Sequence, residues 1–203
     1  MNPNTDFVPF ALPALGKEEE DAVLEVLRSG WLTTGKVARA FESEFAAFVG
    51  ASRALAVNSA TSGLHLALEA VGVGPGDIVV TTPYTFTSTA AVARHLGAEL
   101  RFCDIAKEDY NLDPERLAGI LASEPRVKAV VPVHLGGLPC RMDAILDLCD
   151  KRGIAVVEDA AHAFPSRTSR GFAGTLGTIG VYSFYATKTI TTGEGGMIVT
   201  GDE

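Results

Sequence analysis

From about residue 54 onward, short and nearly continuous apolar runs alternate with segments whose apolar positions recur every three or four residues. That alternation predicts strands and helices taking turns in an α/β architecture. Residues 54–58 read as a short buried strand and 61–71 as a helix. A strand over 78–81, a helix near 88–96 and a strand over 99–103 follow. The next helix has a clear start: Asp113 as N-cap, Pro114 at the first helical position and Glu115 in the first turn. Residues 127–133 form a β-branched run too short and too apolar for a surface helix, which predicts a buried parallel strand. A helix over 141–151 ends at Gly153, a natural left-handed cap, and leads into a strand over 154–157. Two further strands are expected near 180–184 and 197–200.

The pattern before residue 54 is different. Residues 17–29 read as a helix with an acidic first turn, and 38–49 as a second helix carrying Phe41, Phe45 and Phe48 on one face. Between them lies the turn-rich loop Gly30-Trp31-Leu32-Thr33-Thr34-Gly35. Residues 166–177, polar and glycine-bearing, read as a second loop; there is no internal repeat and no low-complexity tract. The expected fold is a three-layer αβα sandwich: a mostly parallel, mixed sheet with helices on both faces and a binding site at the carboxyl ends of the strands.

Composition narrows this further. At 203 residues the chain is long enough for one substantial domain and short for two. With 47% hydrophobic and 21% charged residues, it has the make-up of a globular protein. A net charge of -8, without any block of Lys or Arg, argues against nucleic acid or an anionic membrane surface as partner. Cys103, Cys140 and Cys149 lack C-x-x-C spacing or nearby histidine pairs, so small buried apolar side chains are expected rather than a disulfide framework or a metal site. Residues 1–13 show no basic stretch leading into an apolar core, and no apolar run approaches the roughly 20 residues of a membrane span, so the expected compartment is the cytoplasm.

Four short stretches carry candidate chemistry. In Val157-Glu158-Asp159-Ala160-Ala161-His162, an acid at a strand end lies where open α/β sheets bind ligands, and Asp159 is suited to hold a cationic ring nitrogen; taken alone, a helix cap or loop ligand is the more ordinary use of such an acid. In Ser183-Phe184-Tyr185-Ala186-Thr187-Lys188, a strand-ending serine precedes a loop lysine, a spacing that says nothing by itself. Asn58-Ser59-Ala60-Thr61-Ser62-Gly63 places small polar residues at a helix start, fit either for anion binding or for simple capping by Ser59 or Thr61. There is neither a Walker pattern nor a G-x-G-x-x-G after the first strand, so a nucleotide-binding Rossmann domain is not indicated. Thr82-Pro83-Tyr84-Thr85-Phe86-Thr87 sets aromatics directly after a strand, available to stack on a planar ring or to serve as loop and core residues. In this order they make up the parts needed by a phosphorylated pyridinium aldehyde: an anion cup, a ring platform, an acid for the ring nitrogen and an amine.

With these stretches the sequence resembles the DegT-type sugar aminotransferases, fold-type I pyridoxal-phosphate enzymes acting on nucleotide-linked keto sugars. Gly30–Gly35, Asn58–Gly63, Thr82–Thr89, Pro132–Gly137, Glu158–His162, Ser183–Lys188 and Gly193–Gly196 stand in family order across nearly the whole chain. Among subfamilies the sequence looks closest to aminotransferases that make 4-amino-4-deoxy-arabinose on UDP. The resemblance implies pyridoxal 5'-phosphate as cofactor, with Lys188 as its Schiff-base lysine and proton shuttle and Asp159 as partner of the pyridine nitrogen. It gives phosphate donors at Ala60, Thr61 and Ser183, ring stacking to Phe86, and a place beside the ring oxygen to His162. Trp31, Thr33 and Gly35 fall in a region that helps bind substrate. It further implies a cytoplasmic homodimer with shared sites, a nucleotide-sugar substrate and an amino-acid donor such as glutamate. Family members are longer, and the part carrying the small domain and further site groups is not in this sequence. The stop at Glu203, just after a strand, sets the rival expectation of a truncated, non-catalytic chain that binds cofactor or a partner subunit.

Overall fold

The computed structural model describes residues 8–201; residues 1–7, within the stretch read for a signal peptide, and 202–203, at the chain end, lie outside the described residues. Helices α1 (Lys17–Ser29) and α2 (Lys36–Val49) precede strand β1 (Arg53–Val57) and helix α3 (Ala60–Ala70). Then come β2 (Ile78–Thr81), α4 (Thr87–His95), β3 (Glu99–Phe102), α5 (Pro114–Ser123), β4 (Val127–Val131), α6 (Met142–Asp150) and β5 (Ala155–Asp159). The two-residue strands β6 (Arg167–Thr168) and β7 (Gly171–Phe172) precede β8 (Ile179–Ser183) and β9 (Gly196–Thr200). The 166–177 segment, expected as loop, therefore contains a small antiparallel hairpin; two paired residues per strand are too few to leave an alternating pattern.

Seven strands form one sheet in the order β1-β9-β8-β5-β4-β2-β3. The neighbours β3, β2, β4, β5 and β8 run parallel, and only β9 is reversed, pairing antiparallel with both β8 and β1. The sheet is thus mixed and mostly parallel, as expected.

Burial explains why the central strands lack polar alternation. Along β2, Val79 packs with Leu64, Leu68, Val92 and Ala93 from α3 and α4, while Val80 packs with Leu117, Leu121, Ile145 and Cys149 from α5 and α6. Each residue faces helices on its own side, so both strand faces must be apolar. A third cluster joins Phe45 and Val49 of α2 to Tyr182, Met197 and Val199. The aromatic face expected on α2 is real: Phe45 lies 5.1 Å from Tyr182 and Phe48 5.3 Å from Phe172, centroid to centroid.

The three cysteines are buried free thiols. Among the described residues, no helix is long and apolar enough to cross a membrane, and no cluster of His, Cys, Asp and Glu could hold a metal ion.

Candidate active site at the carboxyl edge of the sheet

Strands β5 and β8 run side by side, with Asp159 in register with Val181. The sequence placed Asp159 just past its strand, but Asp159 is the last strand residue. Its N–H donates to the Pro132 carbonyl at 2.9 Å and its own carbonyl accepts the His134 N–H at 3.1 Å, so pairing with the chain beyond β4 extends the strand. The Asp159 side chain is buried, with Oδ2 accepting the Thr89 hydroxyl at 2.8 Å and Oδ1 the Ala161 N–H at 3.1 Å. Two donors compensate the burial of the carboxylate. Carboxylate oxygens take more than one donor each, which leaves acceptor capacity for a cationic partner.

Lys188 lies in the loop after β8, where its N–H donates to the Tyr185 carbonyl at 2.9 Å. The loop is closed on Phe184: its N–H donates to Gly195 at 2.9 Å, and its carbonyl accepts from the Thr192 N–H and the Thr191 hydroxyl, each at 3.0 Å. Burial pushes the half-buried Lys188 ammonium below the usual lysine range, against the opposing pull of Asp159. In the turn after β5, burial also lowers His162, the nearby Lys188 charge adds to this, and Asp159 opposes it. Lys188, Asp159 and His162 therefore share one electrostatic neighbourhood. A cavity of about 300 Å³ opens here, with His162, Ser183, Lys188, Gly136 and Phe164 in its wall.

The residues expected to form an anion cup lie one strand further along. Ser59 caps α3, its hydroxyl accepting the Ser62 N–H at 3.1 Å, while the N–H groups of Ala60 and Thr61 in the first turn fall outside the helical bonding pattern. At the start of β9, Gly196 pairs with Ser183 on one side and Val57 on the other, which brings the serine beside the start of α3. The approach is tight: a Cβ on Gly196 would sit 2.7 Å from the Ala60 nitrogen and 2.9 Å from the Tyr182 oxygen. Backbone donors, a helix N-terminus and a hydroxyl around a glycine cradle suit a phosphate.

Phe86 is the N-cap residue of α4 and 75% exposed, so its ring is available for stacking. The remaining candidates stand apart. The Trp31 indole donates to the Thr34 carbonyl at 3.1 Å and covers Gly35, and among the described residues Trp31, Thr33 and Gly35 do not line the cavity.

Four buried or half-buried residues were not singled out from sequence. Thr85 and Thr89 stand 2.8 Å apart and connect to Asp159. Glu158 and His134 form a fully buried pair at 2.8 Å directly behind it. A charged residue inside the apolar run Val156-Val157-Glu158 was the available signal for the pair. A helix start beside a glycine cradle, an exposed ring, a buried acid and a depressed amine together fit pyridoxal 5'-phosphate.

Known proteins give independent comparisons. The chain is 52% identical over 197 residues to the spore coat polysaccharide biosynthesis protein SpsC of Bacillus subtilis, covering 97% of this chain and 50% of that protein. An X-ray structure of the aminotransferase from Psychrobacter cryohalolentis superposes with a TM-score of 0.91 at 39% identity, over 96% of this chain and 50% of that one. The PLP-form of the putative sugar aminotransferase Spr1654 from Streptococcus pneumoniae gives a TM-score of 0.91 at 30% identity, over 97% and 53% of the two chains. The chain thus spans about half the length of these relatives, and the part they share is the αβα sandwich described above. Residues 13–203 match the DegT/DnrJ/EryC1/StrS aminotransferase family, to which this chain belongs.

Proposed function

We propose that this chain forms the cofactor-binding part of a pyridoxal-phosphate-dependent aminotransferase that moves an amino group from an amino acid, glutamate in our reading, to a keto group of a nucleotide-linked sugar. The observation that carries it is the half-buried Lys188 sharing one cavity wall with His162 and Ser183, within electrostatic reach of the buried Asp159 that ends β5. The names of two relatives, one in polysaccharide biosynthesis and one a sugar aminotransferase in its PLP-form, support the same reading.

When bound, the cofactor supplies a protonated pyridine ring that draws electrons from the carbon bearing the substrate nitrogen. Asp159 holds the proton on the ring nitrogen. Lys188 Nζ holds the cofactor and, once free, carries a proton between carbon atoms; an amine depressed by burial is suited to both tasks. Ala60, Thr61 and Ser183 would anchor the phosphate, Phe86 would stack on the ring, and His162 would serve near its oxygen. Trp31, Thr33 and Gly35 would reach the sugar from a loop that lies outside the cavity in this chain.

A homodimer with shared sites, in the cytoplasm, belongs to the same reading. Helix α1 has no buried residue, and Val23, Leu27, Trp31 and Leu32 are all more than half exposed, as an associating surface would be.

The decisive test is cofactor linkage. The protein mixed with pyridoxal 5'-phosphate should develop a visible absorbance, and borohydride should fix the added mass on the Lys188 peptide. Lys188→Ala should lose both; unchanged linkage there would sink the assignment. A screen for glutamate-dependent amination of nucleotide keto sugars identifies the acceptor. Because the chain spans half its relatives' length, a second reading is a cofactor- or partner-binding chain without turnover. Turnover by the 203 residues alone would remove it.

A further inference from the structure

We infer that Thr85 and Thr89 form a directed hydroxyl relay that fixes the Asp159 carboxylate and ties it to the Phe86 turn, so that both are positioning residues for the bound ring; this rests on the cofactor reading above. The direction follows from counting protons. A threonine has one O–H to give, and that of Thr89 goes to Asp159 Oδ2 at 2.8 Å. The contact between the Thr85 and Thr89 oxygens, also 2.8 Å, must then be made by the Thr85 proton. The chain runs Thr85 to Thr89 to Asp159, each O–H polarised by the next.

The relay holds two parts of the site in one geometry. Oδ1 is held by the Ala161 N–H from the turn after β5, and Oδ2 by Thr89 from α4, so the carboxyl plane is fixed from both ends. Phe86 sits between the two threonines in sequence, and its carbonyl accepts the Thr89 N–H at 3.1 Å. Any rotation of the Phe86 turn therefore pulls on the same residue that orients the acid. Thr81 gives the contrast: it is equally buried, but its hydroxyl only donates to the Val131 carbonyl at 2.8 Å, an internal strand contact. Thr89 instead directs its proton at the carboxylate of Asp159, the last residue of β5.

Packing alone does not require a hydroxyl at 89. Thr89 lies in the α4 turn ahead of the core residues Val92 and Ala93, where valine would have nearly the same shape. The test compares Thr89→Val, Thr89→Ser and Thr85→Val with the parent chain by cofactor titration and by the circular dichroism induced in the bound cofactor. Thr89→Val should weaken cofactor affinity by roughly ten- to a hundredfold, the effect of removing one hydrogen bond to a charged group. It should also change the induced dichroism per bound cofactor. Thr89→Ser should restore both, and Thr85→Val should weaken affinity by roughly two- to fivefold while adding little to Thr89→Val, as members of one network do.

A Thr89→Val chain that binds cofactor with parental affinity and dichroism overturns the relay. Full additivity of the two valine substitutions overturns it as well. Should Thr89→Val not fold, Thr85→Val decides the matter, since Thr85 is only half buried, and parental behaviour there overturns the relay. Loss of linkage in the parent chain itself would overturn the cofactor reading instead, which keeps the two failures distinct.

Discussion

At the scale of single residues, the informative property is a depressed amine within electrostatic reach of a buried acid. Only the neutral form of Lys188 can attack a carbonyl, and burial favours that form over the ammonium, with Asp159 pulling the other way. The rate of cofactor attachment, followed by absorbance, should therefore rise with pH and reach half its maximum below the ordinary lysine value of about 10.4. A midpoint at or above that value would contradict the assignment. The thiols should behave oppositely: burial pushes Cys103 and Cys149 up to about 12, so a disulfide reagent should leave them unmodified until the chain unfolds. The sequence made the site only partly legible. Lys188 alone carried no information; the order of Ala60, Phe86, Asp159 and Ser183 before it did. Thr85 and Thr89 stayed hidden because a hydroxyl's partner depends on which strand end it faces, and that is set by sheet order.

Among the elements, the point where β9 meets α3 is the most constrained. A methyl group on Gly196 would meet the Ala60 nitrogen at 2.7 Å, the Ser59 carbonyl carbon at 2.8 Å and the Tyr182 oxygen at 2.9 Å, all of them backbone atoms with little freedom to retreat. Gly196→Ala should thus lower stability by about 1–3 kcal/mol in a urea titration and weaken cofactor affinity by moving the α3 start away from Ser183. If stability falls but affinity does not, the glycine serves packing alone. The elements themselves were largely readable from sequence where the local chemistry is explicit. Asp113 caps α5, its carboxylate accepting the Glu115 N–H at 2.9 Å, with Pro114 next, as the residues predicted. Apart from the exposed Lys128, β4 is buried on both faces, though it ends at Val131 rather than at 133. The reversal of β9 was not readable, since an apolar run reads the same for either strand direction and only the chain's return path decides it.

At the scale of the molecule, the edge that presents Asp159 is held from behind by a buried acid. Glu158 is fully buried and collects four donors: Oε1 accepts the N–H groups of Leu176 and Gly177 at 2.6 Å each, and Oε2 accepts Gly174 N–H and His134 Nε2 at 2.8 Å each. His134 Nδ1 in turn accepts the Cys140 N–H at 3.0 Å, which places the ring proton on Nε2 and points it at Glu158. One carboxylate thereby joins the segment after β4, the end of β5 and the turn before β8. Glutamine has the same size but cannot replace it. Whichever way its amide is turned, an NH2 group faces donors, either Leu176 and Gly177 or Gly174 and His134. Glu158→Gln should therefore cost about 2–4 kcal/mol in urea unfolding, with the slope unchanged, because buried donors lose their acceptor. Lys17→Ala, which removes a helix-surface ion pair to Asp21 whose side chains are 82% and 58% exposed, should leave the unfolding midpoint where it was. If the two substitutions shift the midpoint equally, Glu158 is not the clamp that keeps the three segments, and with them Asp159, in place.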